Sequence, residues 1–152
     1  MDVVEIRVRS STFPDQGMLP EQSSKDGGNS PPVLEWEDVP EGTAEIAVLC
    51  EDPDAPGGTF LHWMVTGIPP TAHRIGGGEL PAGAREYRND FGHRGWDGPR
   101  PPVGDAAHRY LFRVYAAAEP LQLGAESTSD DLRASLRGRE LAHGELVGRY
   151  RR

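Results

Sequence analysis

The apolar residues of this sequence occur in short runs, and glycine and proline separate one run from the next. The clearest runs are "EIAVLC" at 45–50, "TFLHWMVTGI" at 59–68 and "HRYLFRVYAAA" at 108–118. The 19 glycines and 14 prolines fall between such runs rather than in one linker. Short apolar runs bounded by turn residues are typical of strands. The sequence therefore predicts a mainly β fold with many strands and turns.

The three runs also predict which side chains share a face of a sheet. Residues 46–50 are apolar at every position, which is typical of a central strand covered on both sides. Strict alternation would put Phe60, His62 and Met64 on one face of the next strand, and Leu61, Trp63 and Val65 on the other. In the third run, His108 and Tyr110 share a face. Both histidines therefore lie among apolar or aromatic neighbours.

The two ends of the chain carry weaker patterns. "VVEIRVRS" at 3–10 alternates, with Val4, Ile6 and Val8 on one face, and predicts one half-exposed edge or surface strand. "STSDDLRASLRGRELA" at 127–142 predicts a short helix with Ser127 or Ser129 as its N-cap. "ELVGRYRR" at 145–152 then returns to a strand pattern.

Length and charge limit the class of protein. The 152 residues suit a single domain spanning 1–152, and the net charge of -8 argues against a nucleic-acid partner. No stretch approaches the roughly 20 apolar residues that cross a bilayer, so we expect no membrane insertion. The start carries no cationic leader, and the one cysteine, Cys50, reads as a buried apolar residue. A cytoplasmic location is the default expectation.

A cluster of polar residues follows the central strand. "CEDPDAPGGTFLHW" at 50–63 places Asp52 and Asp54 close in sequence to His62, and a second histidine, His108, begins the third run. One histidine on a strand is more often a hydrogen-bonded structural group than a ligand. Two of them, with carboxylates at a neighbouring strand end, favour a functional site. A metal site, an acid–base pair, a ligand-binding wall and a polar loop all stay open at this point.

A proline-rich loop precedes His108. In "GWDGPRPPVGDAAHRY" at 95–110 the prolines lack a backbone N–H and hold φ near -65°, so the segment from Gly98 to Gly104 should be stiff. A stiff loop can wall a preformed cavity. It can equally be a rigid turn that binds nothing.

Three long motifs make the chain resemble a known family. "DPDAP" at 52–56, "HWMVTGIP" at 62–69 and "GPRPPVGDAAHRYLFRVYA" at 98–116 resemble the phosphatidylethanolamine-binding protein family, in particular its bacterial branch of Raf kinase inhibitor-like proteins. Four shorter segments agree with that branch in the same order: "GGNSPPVLEW" at 27–36, "VPEGT" at 39–43, "RNDFG" at 88–92 and "ELVGRY" at 145–150. The resemblance covers nearly the whole chain.

The resemblance implies a large β-sheet packed with a smaller sheet and a few helices, and one anion-binding pocket. Carried onto this chain, the pocket would be walled by Asp52, His62, Gly98, Pro99, Pro102, His108 and Tyr110. Asp54 would support it by fixing the tight loop through hydrogen bonds to its backbone. The function implied is non-enzymatic binding of a phosphorylated or anionic small molecule such as phosphate or phosphoethanolamine. No cofactor, metal or catalytic residue is expected, while a regulatory protein partner and a homodimer are both compatible with the family.

Other points stay open at the level of sequence. Arg100 stands where bacterial relatives usually have a small residue, and it could bind phosphate or point to solvent. Asn89 and Asp90 flank the predicted pocket loop without an assigned role. Two alternative functions compete with ligand binding: inhibition of a protease or kinase by surface contact, and metal-assisted hydrolysis by Asp52, Asp54, His62 and His108. "HExxH" and "GxSxG" motifs are absent from the sequence, which argues against a hydrolase.

Overall fold

The structure, a computed structural model, describes residues 4–152. Its described part is built from strands and turns with one α-helix, as the sequence predicts. The strands are β1 (Val4–Glu5), β2 (Arg7–Arg9), β3 (Leu34–Glu37), β4 (Glu45–Asp52), β5 (Phe60–Ile68), β6 (Arg74–Ile75), β7 (Arg85–Glu86), β8 (His108–Ala117) and β9 (Glu140–Tyr150). A short 3-10 turn covers Glu21–Ser23, and the helix α1 covers Ser129–Leu136. That helix is too short and too polar to cross a membrane, and it is the only α-helix in residues 4–152.

The strands form a large and a small sheet. The large sheet has the order β1-β9-β8-β4-β5-β7, in which β1 runs parallel to β9 and the other neighbours are antiparallel. The small sheet has the order β2-β3-β6 and is antiparallel. The mainly β architecture and its two packed sheets are therefore confirmed.

The main hydrophobic core lies between the two sheets. The small sheet contributes Leu34, Trp36 and Ile75, which are almost fully buried. The large sheet contributes the alternate residues of its central strands: Ile46, Val48, Cys50, Trp63, Val65, Tyr110, Phe112 and Val114. Burial of a large apolar side chain stabilises the fold by about 1.5–3 kcal/mol, so this layer holds the two sheets together.

A second core on the opposite face explains why residues 46–50 of β4 are apolar at every position. Ala47 and Leu49 point away from the small sheet and pack with Leu132 and Leu136 of α1. The N-cap of the helix is Thr128, whose side chain accepts a hydrogen bond from the Asp131 backbone N–H in a capping box. The helix is confirmed, but the predicted N-caps Ser127 and Ser129 are each wrong by one residue.

The first segment is two strands rather than one. β1 pairs with β9 of the large sheet, whereas β2 pairs with β3 of the small sheet. Ile6 lies between them, buried, and its N–H donates to the His143 carbonyl on β9 at 2.8 Å. The prediction of a single strand is wrong here because the chain crosses from one sheet to the other at Ile6. The side chain of Val4 lies outside the described residues.

Candidate functional site

The ends of three neighbouring strands bring the predicted polar residues together. β4 lies between β5 and β8 and runs antiparallel to both, so its last residues meet the first residues of its neighbours. Asp52 pairs with Phe60 across β4 and β5, and Glu51 pairs with Leu111 across β4 and β8. Asp52, His62, His108 and Tyr110 thereby line one pocket at this end of the large sheet.

A β-bulge gives His62 its position. Cys50 pairs with Trp63 and Glu51 pairs with Leu61, which leaves His62 as the extra residue on β5. A bulge breaks the alternation of faces and re-aims a side chain. Trp63 accordingly packs in the core between the sheets, while Leu61 and Met64 pack in the core beneath α1. The strict alternation predicted for this strand is therefore wrong at His62, whose ring lies 5.2 Å from that of Tyr110 between centroids.

The pocket is small and has mostly apolar walls. Its volume is about 200 Å³. Phe60 begins β5, Phe91 comes from the loop 87–107, and Pro101 and Pro102 belong to the stiff part of the same loop. The side-chain lining is completed by Ala55, Pro56 and Arg100. Apolar walls with a few polar groups are the usual composition of a site for a small molecule.

His108 lies between two carboxylates. Its Nδ1 is 2.7 Å from an Asp52 carboxylate oxygen, and its Nε2 is 3.0 Å from an Asp105 carboxylate oxygen. Carboxylates accept, so both ring nitrogens must carry hydrogens for both bonds to form. Burial by itself lowers the pKa of His108, but the hydrogen bonds to Asp52 and Asp105 and their negative charges outweigh it, so the pKa is raised. His108 is the imidazolium of a charged triad.

His62, in contrast to His108, has a neutral ring. Its Nδ1 lies 2.7 Å from the backbone carbonyl oxygen of Asp97, which can only accept, so Nδ1 carries the hydrogen. Burial lowers the pKa of His62, and this effect exceeds the raising effect of its hydrogen bond and of nearby carboxylates. The ring is therefore neutral near pH 7, and its Nε2 is an acceptor.

Tyr110 contributes a hydroxyl that has no hydrogen-bond partner among the described residues. The residue is fully buried, and its hydroxyl has no hydrogen-bond partner within residues 4–152. Burial raises the pKa of the phenol, followed by the effect of the Asp52 charge, so the hydroxyl keeps its hydrogen. A buried polar group without a partner costs about 1–3 kcal/mol, and it is uncommon in folded proteins. A ligand in the pocket would supply the missing partner.

Arg100 lies at the mouth of the pocket. It lines the cavity, and its Nε is 3.3 Å from an Asp26 carboxylate oxygen. The other Asp26 oxygen is 3.0 Å from Arg152, which also donates to the Pro101 carbonyl at 2.6 Å. The Arg100 side chain is half exposed, so its guanidinium is available both to solvent and to the pocket.

Three of the predicted site residues lie outside the lining. Gly98 and Pro99 are buried behind it: the Gly98 N–H donates to the Asn29 side chain, and the Pro99 carbonyl accepts from the Lys25 N–H. A β-carbon on Gly98 would come within 1.8 Å of the Ser23 carbonyl oxygen, so only glycine fits this approach. These two residues hold the loop in place rather than line the cavity.

Asp54 also lies outside the lining and contacts the neighbouring strand β8. Its carboxylate accepts from the Arg109 backbone N–H and guanidinium at 2.8–3.0 Å, and these bonds lower its pKa to about 2. The hydrogen bond to the loop backbone that was predicted for Asp54 comes from Asp52 instead, which accepts from the Asp54 N–H at 2.7 Å. The Asp52 carboxylate thus accepts hydrogen bonds from both the loop backbone and His108.

Asn89 and Asp90, which had no assigned role, shape the loop that carries Phe91. The Asn89 side chain accepts from the Phe91 and His93 backbone N–H groups and donates to Asp97. Asp90 is bonded to Leu61 twice, through its backbone N–H and through its carboxylate. The loop is therefore fixed to β5 beside His62.

Asp97 and Asp105 are important residues that the motifs did not single out. The Asp97 carboxylate accepts four side-chain hydrogen bonds, and its carbonyl orients His62. The only signal in the sequence is position, because Asp97 immediately precedes Gly98 and Asp105 lies three residues before His108. Within the described residues, no group of three or more His, Cys, Asp or Glu side chains has the arrangement of a metal site.

Comparison with known proteins identifies the family. The sequence model of the phosphatidylethanolamine-binding protein family matches residues 9–151. A UPF0098 protein of Methanothermobacter thermautotrophicus is 36% identical over 152 residues, covering 97% of this chain and 99% of that protein. The Mycobacterium tuberculosis protein LppC, whose name describes it as a candidate lipoprotein, is 36% identical over 95% of this chain and 72% of its own length.

A solved structure agrees with the sequence matches. The crystal structure of Escherichia coli YbcL superposes with a TM-score of 0.90 at 34% sequence identity, over 98% of this chain and 99% of that one. The two chains therefore share one fold over almost their whole length. The chain belongs to the phosphatidylethanolamine-binding protein family.

Proposed function

We propose that this chain is a non-enzymatic binding protein for a small phosphorylated or other anionic molecule, held in the pocket between Asp52, His62, His108 and Tyr110. The observation that carries the proposal is that Tyr110, a residue of the pocket lining, has a buried hydroxyl without a hydrogen-bond partner in residues 4–152. A phosphoryl oxygen would accept from it. A hydrogen bond to a charged partner is worth about 1.5–3 kcal/mol.

The surroundings favour a compact polar ligand. At about 200 Å³ the cavity is smaller than the roughly 300–1,000 Å³ of pockets for drug-sized molecules. Phe60, Phe91 and Pro101 keep water from much of its wall, which strengthens any hydrogen bond made inside. These dimensions suit a phosphate or a phosphorylated head group rather than a whole lipid.

The charges favour a zwitterion with its phosphate innermost. Asp105, which is paired with the Nε2 atom of His108, has a side chain that is 45% exposed. An ammonium group there would meet a carboxylate, while a phosphate would reach Tyr110 deeper in the pocket. Phosphoethanolamine has this arrangement of charges, and the family is named for binding a lipid with the same head group.

Non-enzymatic binding accounts for the site better than metal-assisted hydrolysis. Asp52 is engaged with His108 and Asp54 with Arg109, so neither carboxylate is free to ligate a metal or activate water. A regulatory protein partner, inhibition of a protease or kinase, a homodimer and a cytoplasmic location stay predictions from the sequence. The name of the LppC relative concerns that protein alone.

The proposal is tested by following the histidine ring resonances by NMR while inorganic phosphate or O-phosphoethanolamine is added. We expect saturable shifts at His62 and His108. His143, whose side chain is 53% exposed on β9, is the internal control and should not move. Shifts that are equal at all three rings, or no saturable shift at millimolar ligand, would contradict the proposal.

A further inference from the structure

The hydrogen bond of His62 and the unpartnered hydroxyl of Tyr110 restrict the protonation state of the ligand, an inference that rests on the proposed function. The His62 Nδ1 hydrogen is committed to the Asp97 carbonyl at 2.7 Å. The Nε2 atom of this neutral ring therefore offers a lone pair. Tyr110 offers a hydroxyl hydrogen, with its ring 5.2 Å from that of His62. The pocket presents one acceptor beside one donor.

The charged groups around His62 leave no unpaired cation in the depth of the pocket. The titratable and charged groups that face it come from β4, β8 and the loop 87–107, and they are Asp52, Asp90, Asp97, Arg100, His108 and Tyr110.

Each of these charges has a partner elsewhere. The charge of His108 is matched by Asp52 and Asp105, and Arg100 is paired with Asp26 at the mouth. Asp97 is paired with Lys25, and Asp90 is exposed and bonded to the Leu61 N–H. A dianionic phosphate next to His62 would therefore face Asp52, while the Arg100 guanidinium lies at the mouth and is paired with Asp26.

We propose that the pocket takes a phosphate monoester in its singly protonated, monoanionic form. The P–O–H group donates to His62 Nε2, and a phosphoryl oxygen accepts from the Tyr110 hydroxyl. The Tyr110 hydroxyl and the His62 Nε2 lone pair then each have a hydrogen-bond partner.

This protonation state has a measurable consequence. A phosphate monoester loses its second proton near pH 6, so it is mostly dianionic at pH 7.5. Binding at pH 7.5 must then take up about one proton, and the affinity should fall about tenfold for each pH unit above 7. A sulfate monoester has similar shape and a single negative charge, but it carries no hydrogen to donate to His62.

The experiment is isothermal titration calorimetry of the full chain with O-phosphoethanolamine at pH 7.5, in buffers that differ in ionisation enthalpy. We expect the observed enthalpy to vary with the buffer by about one proton per ligand bound. At pH 6.5 the sulfate analogue, O-sulfoethanolamine, should bind at least tenfold more weakly. The variant His143→Gln is the control, and its proton uptake should equal that of the wild type.

The outcomes separate this inference from the proposed function. Binding of the phosphate ester with no proton uptake, or equal affinity for the sulfate ester at pH 6.5, overturns the inference and leaves the binding function standing. Failure of both esters to bind at millimolar concentration overturns both.

Discussion

Replacement of Asp97 by asparagine should destabilise the protein more than any other single change of charge near the site. The carboxylate is 94% buried and accepts four side-chain hydrogen bonds. Its Oδ1 accepts from Lys25 at 3.1 Å and Asn29 at 2.9 Å, and its Oδ2 from Asn89 at 2.9 Å and His93 at 2.7 Å. These partners come from the segment before β3 and from the loop 87–107, so one carboxylate joins two separate parts of the chain.

The size of the effect follows from the number of bonds lost. Asparagine keeps one acceptor oxygen and presents an N–H₂ group to the other pair of donors. Two hydrogen bonds to a charged acceptor, at about 1.5–3 kcal/mol each, are lost. Lys25 and His93 can partly turn to water because their side chains are 22% and 66% exposed. We therefore expect the free energy of unfolding to fall by about 2–4 kcal/mol.

The pH dependence has a defined sign. Burial by itself raises the pKa of Asp97, but hydrogen bonds from Asn29, Asn89, His93 and Lys25 outweigh it and hold the pKa well below its usual range. A lowered carboxyl pKa adds stability above the unfolded value of about 3.9, and this stability is lost as the pH falls below it. The deficit of Asp97→Asn should therefore be full at pH 6 and shrink below about pH 4.

The assay is urea unfolding followed by tryptophan fluorescence at pH 6 and at pH 3.5. Glu41→Gln, which removes a carboxylate from an exposed turn, is the matched control and should lie within about 0.5 kcal/mol of the wild type. A change of less than about 1 kcal/mol for Asp97→Asn at pH 6, or the same deficit at both pH values, would refute the role given to this carboxylate.

Two further substitutions test the loop and the charged triad. Asp52→Asn should lower the pKa of His108 in an NMR pH titration, since it removes one of two carboxylates that favour the imidazolium. A raised histidine pKa stabilises below about pH 6.5, so this variant should lose more stability at pH 6 than at pH 9, and the reverse order would contradict the triad. Gly98→Ala should cost about 3 kcal/mol or more in thermal or urea unfolding, because its β-carbon would meet the Ser23 backbone at 1.8 Å. Gly124→Ala, where nothing lies within 4 Å, is its control, and equal stability of the two variants would show that the close approach is not needed.

The strands were predictable where packing against a core on each face requires apolar residues at regular positions in the sequence. β4 and β8 carry apolar residues at the positions that the two cores bury, and Tyr110, Phe112 and Val114 follow the alternation of an ideal strand. Cys50 is buried, as predicted, and burial raises the pKa of its thiol. In these strands the period of the sequence and the period of the structure agree.

The pattern failed where partners distant in sequence decide the backbone. The bulge at His62 depends on how β5 pairs with β4, and nothing within residues 59–68 signals the extra residue. The division at Ile6 likewise depends on which sheet each half of the segment joins. Thr128 rather than a serine caps α1 because a capping box joins residues three positions apart, and the partner here is Asp131.

The site was predictable from motifs only in part. Asp52, His62, Pro102, His108 and Tyr110 line the pocket, and they were placed there through family resemblance. The tautomer of His62, the charge of His108 and the roles of Asp97 and Asp105 depend on tertiary hydrogen bonds that have no sequence signature.

The central claim, that the pocket binds a phosphorylated ligand through Tyr110, is tested most directly by measuring the dissociation constant of O-phosphoethanolamine for the wild type and for Tyr110→Phe by calorimetry. Tyr87→Phe is the matched control, because the Tyr87 hydroxyl bonds to Thr66 in the other core. The variant Tyr110→Phe keeps the ring and should fold at least as stably as the wild type, since it removes a buried hydroxyl without a partner. We predict that it binds about 10- to 150-fold more weakly while Tyr87→Phe binds normally. Equal affinity of wild type and Tyr110→Phe, or no binding by the wild type, would contradict the claim.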